Sequence, residues 1–363
     1  MKKLFSVIAL ILALSLVLCS CKKAVVNKDE TPNTDGSEQT DTPTVDYSQT
    51  AAFAANHTFN LSEMAYLFFG TFTDFYSIYG SYLSYLGIDL EKSFKEQPCN
   101  FEEGVEQSWF DYFLVSTKLY AEQFLVLSEA AKASGETLSD EDRAEIDASI
   151  KDLKDYTIEN KFDLQEYLDM TYGNGVTEEH IRNVLEITFL ASNYYEKVYE
   201  GYTFTEDEYK AFEEENFKDE ENYNFVNVRH ILVETEDEAK TLLDEILKAE
   251  NVEEAFIKTA GEKTLDGGSK TTGGLYEDIY KGQMVTDFND WCFDAARKPG
   301  DTGIVSSTHG YHIMYFVSFS EKNYFRETAD DEMRSKLYNE QYDKWLKEYP
   351  VTFNDEVLNK IDA

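Results

Sequence analysis

Two of the five histidines, His230 and His312, lie inside apolar, β-branched stretches rather than in polar loops. An imidazole is the side chain that changes charge near neutral pH, yet a lone histidine in a strand is more often a satisfied structural group. Met284 and Phe288 are four residues apart near a helix start, so they share a face and form either an apolar seat or ordinary core. Asp266 precedes Gly267 and offers a carboxylate acceptor, or simply an Asx turn. Ser307 offers a hydroxyl, or a solvated turn serine. Five histidines and four cysteines are too few for a His-rich metal array or a disulfide scaffold. Neither a metal nor a cofactor is expected.

These side chains need elements to bring them together. Residues 225–233, FVNVRHILV, read as a strand. Helices are expected over 236–248 and 252–261, followed by a loop rich in Gly, Lys and Thr over 266–274. Thr286 is expected to cap a helix through about 296. Pro299-Gly300-Asp301 turns the chain, 304–305 form a short strand and 311–319 a longer one. The order β-α-α-α-β-β makes an α+β domain. Residues 51–220 look helical instead. Phe68, Phe72, Phe75, Tyr79 and Tyr82 step by 4, 3, 4 and 3, an aromatic stripe on one helix face. A second amphipathic helix covers 106–132. Ser139 followed by Asp140, Glu141 and Asp142 is an N-terminus, and Thr177 opens a helix towards 199. Thr205 with Glu208 has capping-box spacing, and Gly173-Asn174-Gly175 is a break. No useful β-alternation precedes residue 223.

The whole chain has 363 residues, enough for two folded domains, and 42% of them are hydrophobic, which excludes global disorder. A formal charge of -38 repels phosphate backbones and anionic lipid surfaces, so nucleic acid is excluded as a partner. At the start, Lys2 and Lys3 precede an apolar run over 4–18, too short to span a bilayer comfortably. Leu18-Cys19-Ser20-Cys21 then resembles a bacterial lipobox, which implies cleavage before Cys21 and acylation of its sulfur. Residues 22–50 are polar and rich in Thr, Asp and Pro, a flexible tether. Cys99 and Cys292 either pair in an oxidising exterior or stay as two buried thiols.

Three pieces of the α+β segment together resemble the parvulin family of peptidyl-prolyl cis–trans isomerases. They are Arg229-His230-Ile231-Leu232-Val233; Gly282-Gln283-Met284 with Phe288 and Pro299-Gly300; and Gly310-Tyr311-His312-Ile313. The resemblance covers about residues 222–320 and implies a four-stranded antiparallel-type sheet with surrounding helices. It implies that Met284 and Phe288 seat the proline ring and that His230 and His312 meet at the centre of the site. Asp266 falls at the family's Cys-or-Asp position, and Ser307 at a hydroxyl that bonds the histidines. Leu275 is carried over as a substrate-contacting position, although Gly273-Gly274-Leu275-Tyr276-Glu277 stands where the family has Gly-Gly-Asp-Leu-Gly. His309 replaces a small hydroxyl and could narrow the site.

With the lipobox, the preceding helical part and a tail helix over 326–348 before Pro350, the chain resembles the PrsA-like extracytoplasmic foldases. That implies a signal peptide (1–20), a tether (21–50), a helical chaperone-like domain (51–220), a parvulin-like domain (221–320) inserted into it, and a C-terminal helix (321–363) packing back on the helical domain. The implied function is a lipid-anchored isomerase at the outer face of the membrane, acting on unfolded or newly exported proline-containing chains. A holdase with an accessory parvulin domain is the alternative. Phosphopeptides are not expected as substrates, since Glu234, Glu236, Asp237 and Glu238 follow the first strand where a basic cluster would be needed.

Overall fold

The computed structural model describes residues 45–101, 104–218 and 220–363. Cys21, its lipobox and most of the proposed tether lie outside them. The described residues fall into two compact units: those up to Gly201 together with Leu337–Ala363, and Tyr202–Lys336.

The first unit opens with a hairpin of β1 (Thr50–Phe53) and β2 (Thr58–Asn60), so Thr50 belongs to a strand rather than to a tether. Asn60 caps α1 (Leu61–Tyr79) in a capping box with Glu63. Phe68, Phe72 and Phe75 of α1 are buried. Beyond α1, Tyr82 sits in a single 3-10 turn and is 59% exposed, so the aromatic stripe loses its last member to solvent. A two-residue ladder of β3 (Pro98–Cys99) and β4 (Gln107–Ser108) leads into α2 (Trp109–Ala133). Phe113 of α2 meets the stripe edge-on, with ring centroids 5.5 Å from Phe72 and 5.3 Å from Phe75. Then come α3 (Asp140–Glu159), capped by Ser139 and Asp142, α4 (Leu164–Thr171) and α5 (Glu178–Gly201). The short strands correct the all-helical reading of this part. Each has two to four residues, too few for alternation to register as a pattern.

The second unit begins with α6 (Glu206–Asn216), whose capping box joins Thr205 and Glu208. It continues through β5 (Asn224–Val233), α7 (Glu236–Ile246), α8 (Val252–Lys263), β6 (Leu275–Ile279), α9 (Thr286–Cys292), β7 (Thr302–Ser307) and β8 (Gly310–Asn323). The four strands form one antiparallel sheet in the order β6-β5-β8-β7. One face packs Ile231, Val233 and Ile313 against Leu242, Ile246, Phe256 and Ala260 of α7 and α8. The other packs Val226, Val228, Met314 and Phe316 against Phe288 and Cys292 of α9. Two details differ from the sequence reading. The strand β6 was not anticipated, because LYEDI is polar, half-exposed and bulged, with Asp278 at φ 54°. Thr286 is the first helical residue rather than the cap, and α9 stops at Cys292. Cys292 is a free, buried thiol whose pKa burial pushes up to about 12.

α10 (Tyr324–Glu348) starts in this unit, where Arg326 takes both carboxylate oxygens of Glu206 and Phe325 stacks on Phe217. Its residues from Leu337 onward belong to the first unit. There Tyr338 is buried with its ring 4.9 Å from Tyr195, and Trp345 lies 5.4 Å from Tyr194. Finally β9 (Thr352–Phe353) adds a third strand beside β1, and α11 (Asp355–Leu358) buries Val357 and Leu358. No helix among the described residues is long and apolar enough to cross a membrane.

Candidate active site

The register of β5 and β8 sets the site. His230 lies opposite Met314 and His312 opposite Leu232, so the two histidines are diagonal neighbours on the sheet face that carries α9. Their Nδ1 atoms are 3.1 Å apart, and the side chains are nearly sealed, with His230 3% and His312 5% exposed. Phe288 stands edge-on to both imidazoles, its centroid 5.4 Å from each. Met284, half-buried, packs on the same apolar cluster as Phe288.

Asp266 arrives from the loop after α8. That loop is sewn to the end of β5: Leu265 N donates to Leu232 O, and Leu232 N donates to Thr264 Oγ1. Gly274 holds the other side of the loop. Its φ is +78°, its carbonyl accepts from His230 N, and a Cβ there would run into the His230 carbonyl oxygen, so only glycine fits. Asp266 Oδ2 accepts from His230 Nε2 at 3.0 Å, from Ser269 N at 3.0 Å, from Tyr276 Oη at 3.0 Å and from Ser269 Oγ. Gly268 N donates to its Oδ1 at 3.3 Å, so the Asx turn and the site contact coexist. Burial works against ionisation of this carboxylate, but the hydrogen bonds from Ser269, His230 and Tyr276 outweigh it and bring its pKa down to about 2.

The proton positions follow from this carboxylate. Burial lowers the pKa of His230 despite Asp266, and burial, His230 and His309 bring His312 down to about 4, so both imidazoles are neutral at neutral pH. An ionised Asp266 only accepts, so His230 carries its hydrogen on Nε2 and accepts on Nδ1. His312 must then donate from Nδ1, which leaves its Nε2 to accept from Ser307 Oγ at 2.8 Å. The chain of donors runs one way, Ser307 to His312 to His230 to Asp266. No imidazole N–H is left over for a substrate.

His230, Asp266, Ser307, His312, Met284 and Phe288 therefore come together. Leu275 does not. It pairs with Arg229, while its neighbour Tyr276 pairs with Val228 and packs into the cluster of Phe288 and Met284. Strand alternation puts consecutive residues on opposite faces, so Tyr276, and not Leu275, lies on the face of the histidine pair. The exposed His309 donates its backbone N to Ser307 Oγ, and its imidazole acts on His312 electrostatically. The sequence pattern does not mark Ser269 and Tyr276 as site residues. Ser269 has the usual three-residue spacing from an Asx acceptor, and Tyr276 marks the departure in the Gly-Gly motif.

Residues 209–318 match the family model of the PPIC-type PPIase domain. The chain carries a parvulin-type, PrsA-like domain. The chain is 32% identical over 126 residues to foldase protein PrsA 1 of Listeria monocytogenes, covering 34% of this chain and 42% of that protein. It is 28% identical over 197 residues to foldase protein PrsA of Caldanaerobacter subterraneus, covering 54% and 60%. A crystal structure of PrsA from Bacillus subtilis aligns over 74% of this chain and 94% of that one, at 20% identity and a TM-score of 0.31. The chain thus spans about half the length of the curated relatives it matches. In the parvulin-type domain, the histidine pair is closed off by sheet, loop and α9, and Phe288 and Met284 supply its apolar side. Among the described residues no group of His, Cys, Asp or Glu is arranged to hold a metal ion.

Proposed function

We propose that the chain is a peptidyl-prolyl cis–trans isomerase that helps exported polypeptides fold and is held outside the cell membrane by a lipid on Cys21. The observation that carries the enzymatic part is the buried His230–His312 pair, linked to Asp266 and faced edge-on by Phe288. The prolyl amide has a barrier of about 18–20 kcal/mol, which comes from resonance between nitrogen and carbonyl. Uncatalysed exchange takes about 10–100 s. Rotation needs neither nucleophile nor metal. A dry apolar wall disfavours the planar, charge-separated amide relative to the twisted one, and each tenfold gain needs only about 1.4 kcal/mol.

In this reading Met284 and Phe288 seat the pyrrolidine ring, and Tyr276 replaces Leu275 on the seat's inner side. The Ser307–His312–His230–Asp266 chain acts by orientation and electrostatics, since its hydrogens are all committed internally. The acids after β5, Glu234 and Glu236 to Glu238, turn away phosphorylated chains. The direct test is relaxation of a short Ala-Pro peptide from cis to trans with the purified chain. Acceleration is expected, and an unchanged rate at micromolar protein sinks the reading. The anchor is tested separately by mass spectrometry of the mature amino terminus, where a diacylglyceryl group on Cys21 is expected and an unmodified thiol overturns it.

A holdase role has its own support in the first unit. Ile78, Tyr82 and Tyr85, at and just beyond the end of α1, are 67%, 59% and 88% exposed and offer apolar surface to an unfolded chain. Suppression of client aggregation that persists in a catalytically dead variant is the result expected of it.

A further inference from the structure

Tyr276 enters the site from β6, the strand that the sequence pattern did not reveal. Its ring lies over the imidazole of His230, with centroids 5.1 Å apart and planes 27° from parallel. Its hydroxyl donates to Asp266 Oδ2 at 3.0 Å. Of the donors on that oxygen, Ser269 N and Ser269 Oγ belong to the same loop as Asp266, and His230 is the partner being oriented. Among the described residues, Tyr276 is the one donor that reaches the carboxylate from the strand beside β5. It thus grips both ends of the His230–Asp266 bond, one by stacking and one by hydrogen bond. Gly268 leaves the room for this, since a Cβ there would come within 3.3 Å of the tyrosine oxygen.

We propose that Tyr276 is a positioning residue that holds the Asp266 carboxylate in line with His230 Nε2–H. The role rests on the isomerase reading of the same site. A phenol fixed to the sheet gives the carboxylate a second hold besides its own loop, and the ring above His230 keeps the imidazole from tilting out of line. The titratable groups facing the pair are His230 on β5, Tyr276 on β6, His312 on β8 and His309 in the turn before β8.

The experiment compares the full chain with Tyr276→Phe, which keeps the ring and deletes the donor, and with 3-fluorotyrosine placed at 276, which donates more strongly. The readouts are the ¹³C titration of the Asp266 carboxyl, the ¹⁵N shifts of His230, and kcat and KM on the Ala-Pro peptide. Tyr276→Phe is expected to move the Asp266 titration up by roughly one pH unit and to shift the His230 Nε2 resonance as its bond to Asp266 loosens. It is expected to lower kcat by about threefold to tenfold with KM little changed. Fluorotyrosine is expected to move the carboxyl titration the other way. Unchanged carboxyl and imidazole signals in both forms overturn the proposal, and so does a fall confined to KM. An inactive wild type sinks the isomerase reading alone, because the two NMR titrations still decide what Tyr276 does. Should Tyr276→Phe fail to fold, the fluorotyrosine form carries the same decision.

Discussion

At the scale of single residues, the proposed seat and the core share atoms. Phe288 is 2% exposed and belongs to the cluster of Val228, Met314 and Phe316, while it also faces both imidazoles. Phe288→Ala is therefore expected to cost about 3–5 kcal/mol of stability as well as activity. Met284, only half-buried, is the cleaner probe. Met284→Ala is expected to slow peptide isomerisation about tenfold while shifting the urea midpoint little; a large loss of stability with full activity would show core alone. The histidines also make stability depend on pH. Burial, His230 and His309 lower His312 from 6.5 to about 4 in the folded chain. Between those values the unfolded chain binds a proton that the folded chain refuses, so stability drops as pH falls through that window, by up to about 1.4 kcal/mol per pH unit. Asp266 acts lower down: its pKa is depressed from 3.8 to about 2, so its contribution is full above the upper value and lost as pH falls through the lower. Urea unfolding at about pH 7 and pH 5 should show the histidine loss, and His312→Gln should flatten it; parallel curves in wild type and variant would remove His312 as the cause.

Among the elements, the loop between α8 and β6 decides the most. It delivers Asp266 and Ser269 to His230, and Gly274 lets it pass against the β5 backbone. Gly274→Ala forces a side chain into positive φ and onto the His230 carbonyl. It is expected to destabilise the second unit by more than about 2 kcal/mol and to displace the His230 resonances; near-wild-type values for both would show that the loop yields. Helix starts were the most legible elements. Ser139 with Asp142 and Thr205 with Glu208 form capping boxes at the positions their spacing announced, because a cap is satisfied within four residues. Strand β6 was illegible for the opposite reason. Its partner is β5, some fifty residues away, and its own residues carry little apolar signal.

For the molecule as a whole, the chain after Lys336 completes the first unit. Tyr338, Trp345, Val357, Leu358 and Ile361 are buried there, and β9 pairs with β1. Ending the chain at Lys336 is expected to expose Tyr194, Tyr195 and Tyr199 of α5 and to speed hydrogen exchange in α2 and α5. Unchanged exchange there would show that the first unit stands without its tail. The charge of -38 acts at this scale too. In the holdase reading it would favour basic or neutral clients, so suppression of aggregation of a basic client is expected to weaken with salt as the screening length falls below about 10 Å.

By itself the sequence determined what local interactions and order along the chain can encode. That covers the capped helices, the histidine-bearing strands 225–233 and 311–319, and, through the family resemblance, the candidates His230, Asp266, Ser307, His312, Met284 and Phe288 for the proposed prolyl site. Tertiary structure alone decided which of two adjacent residues, Leu275 or Tyr276, faces that site, because a side chain's face depends on strand register with a distant partner. It also decided the direction of the proton chain from Ser307 to Asp266, since a tautomer is set by what its other nitrogen meets across the sheet.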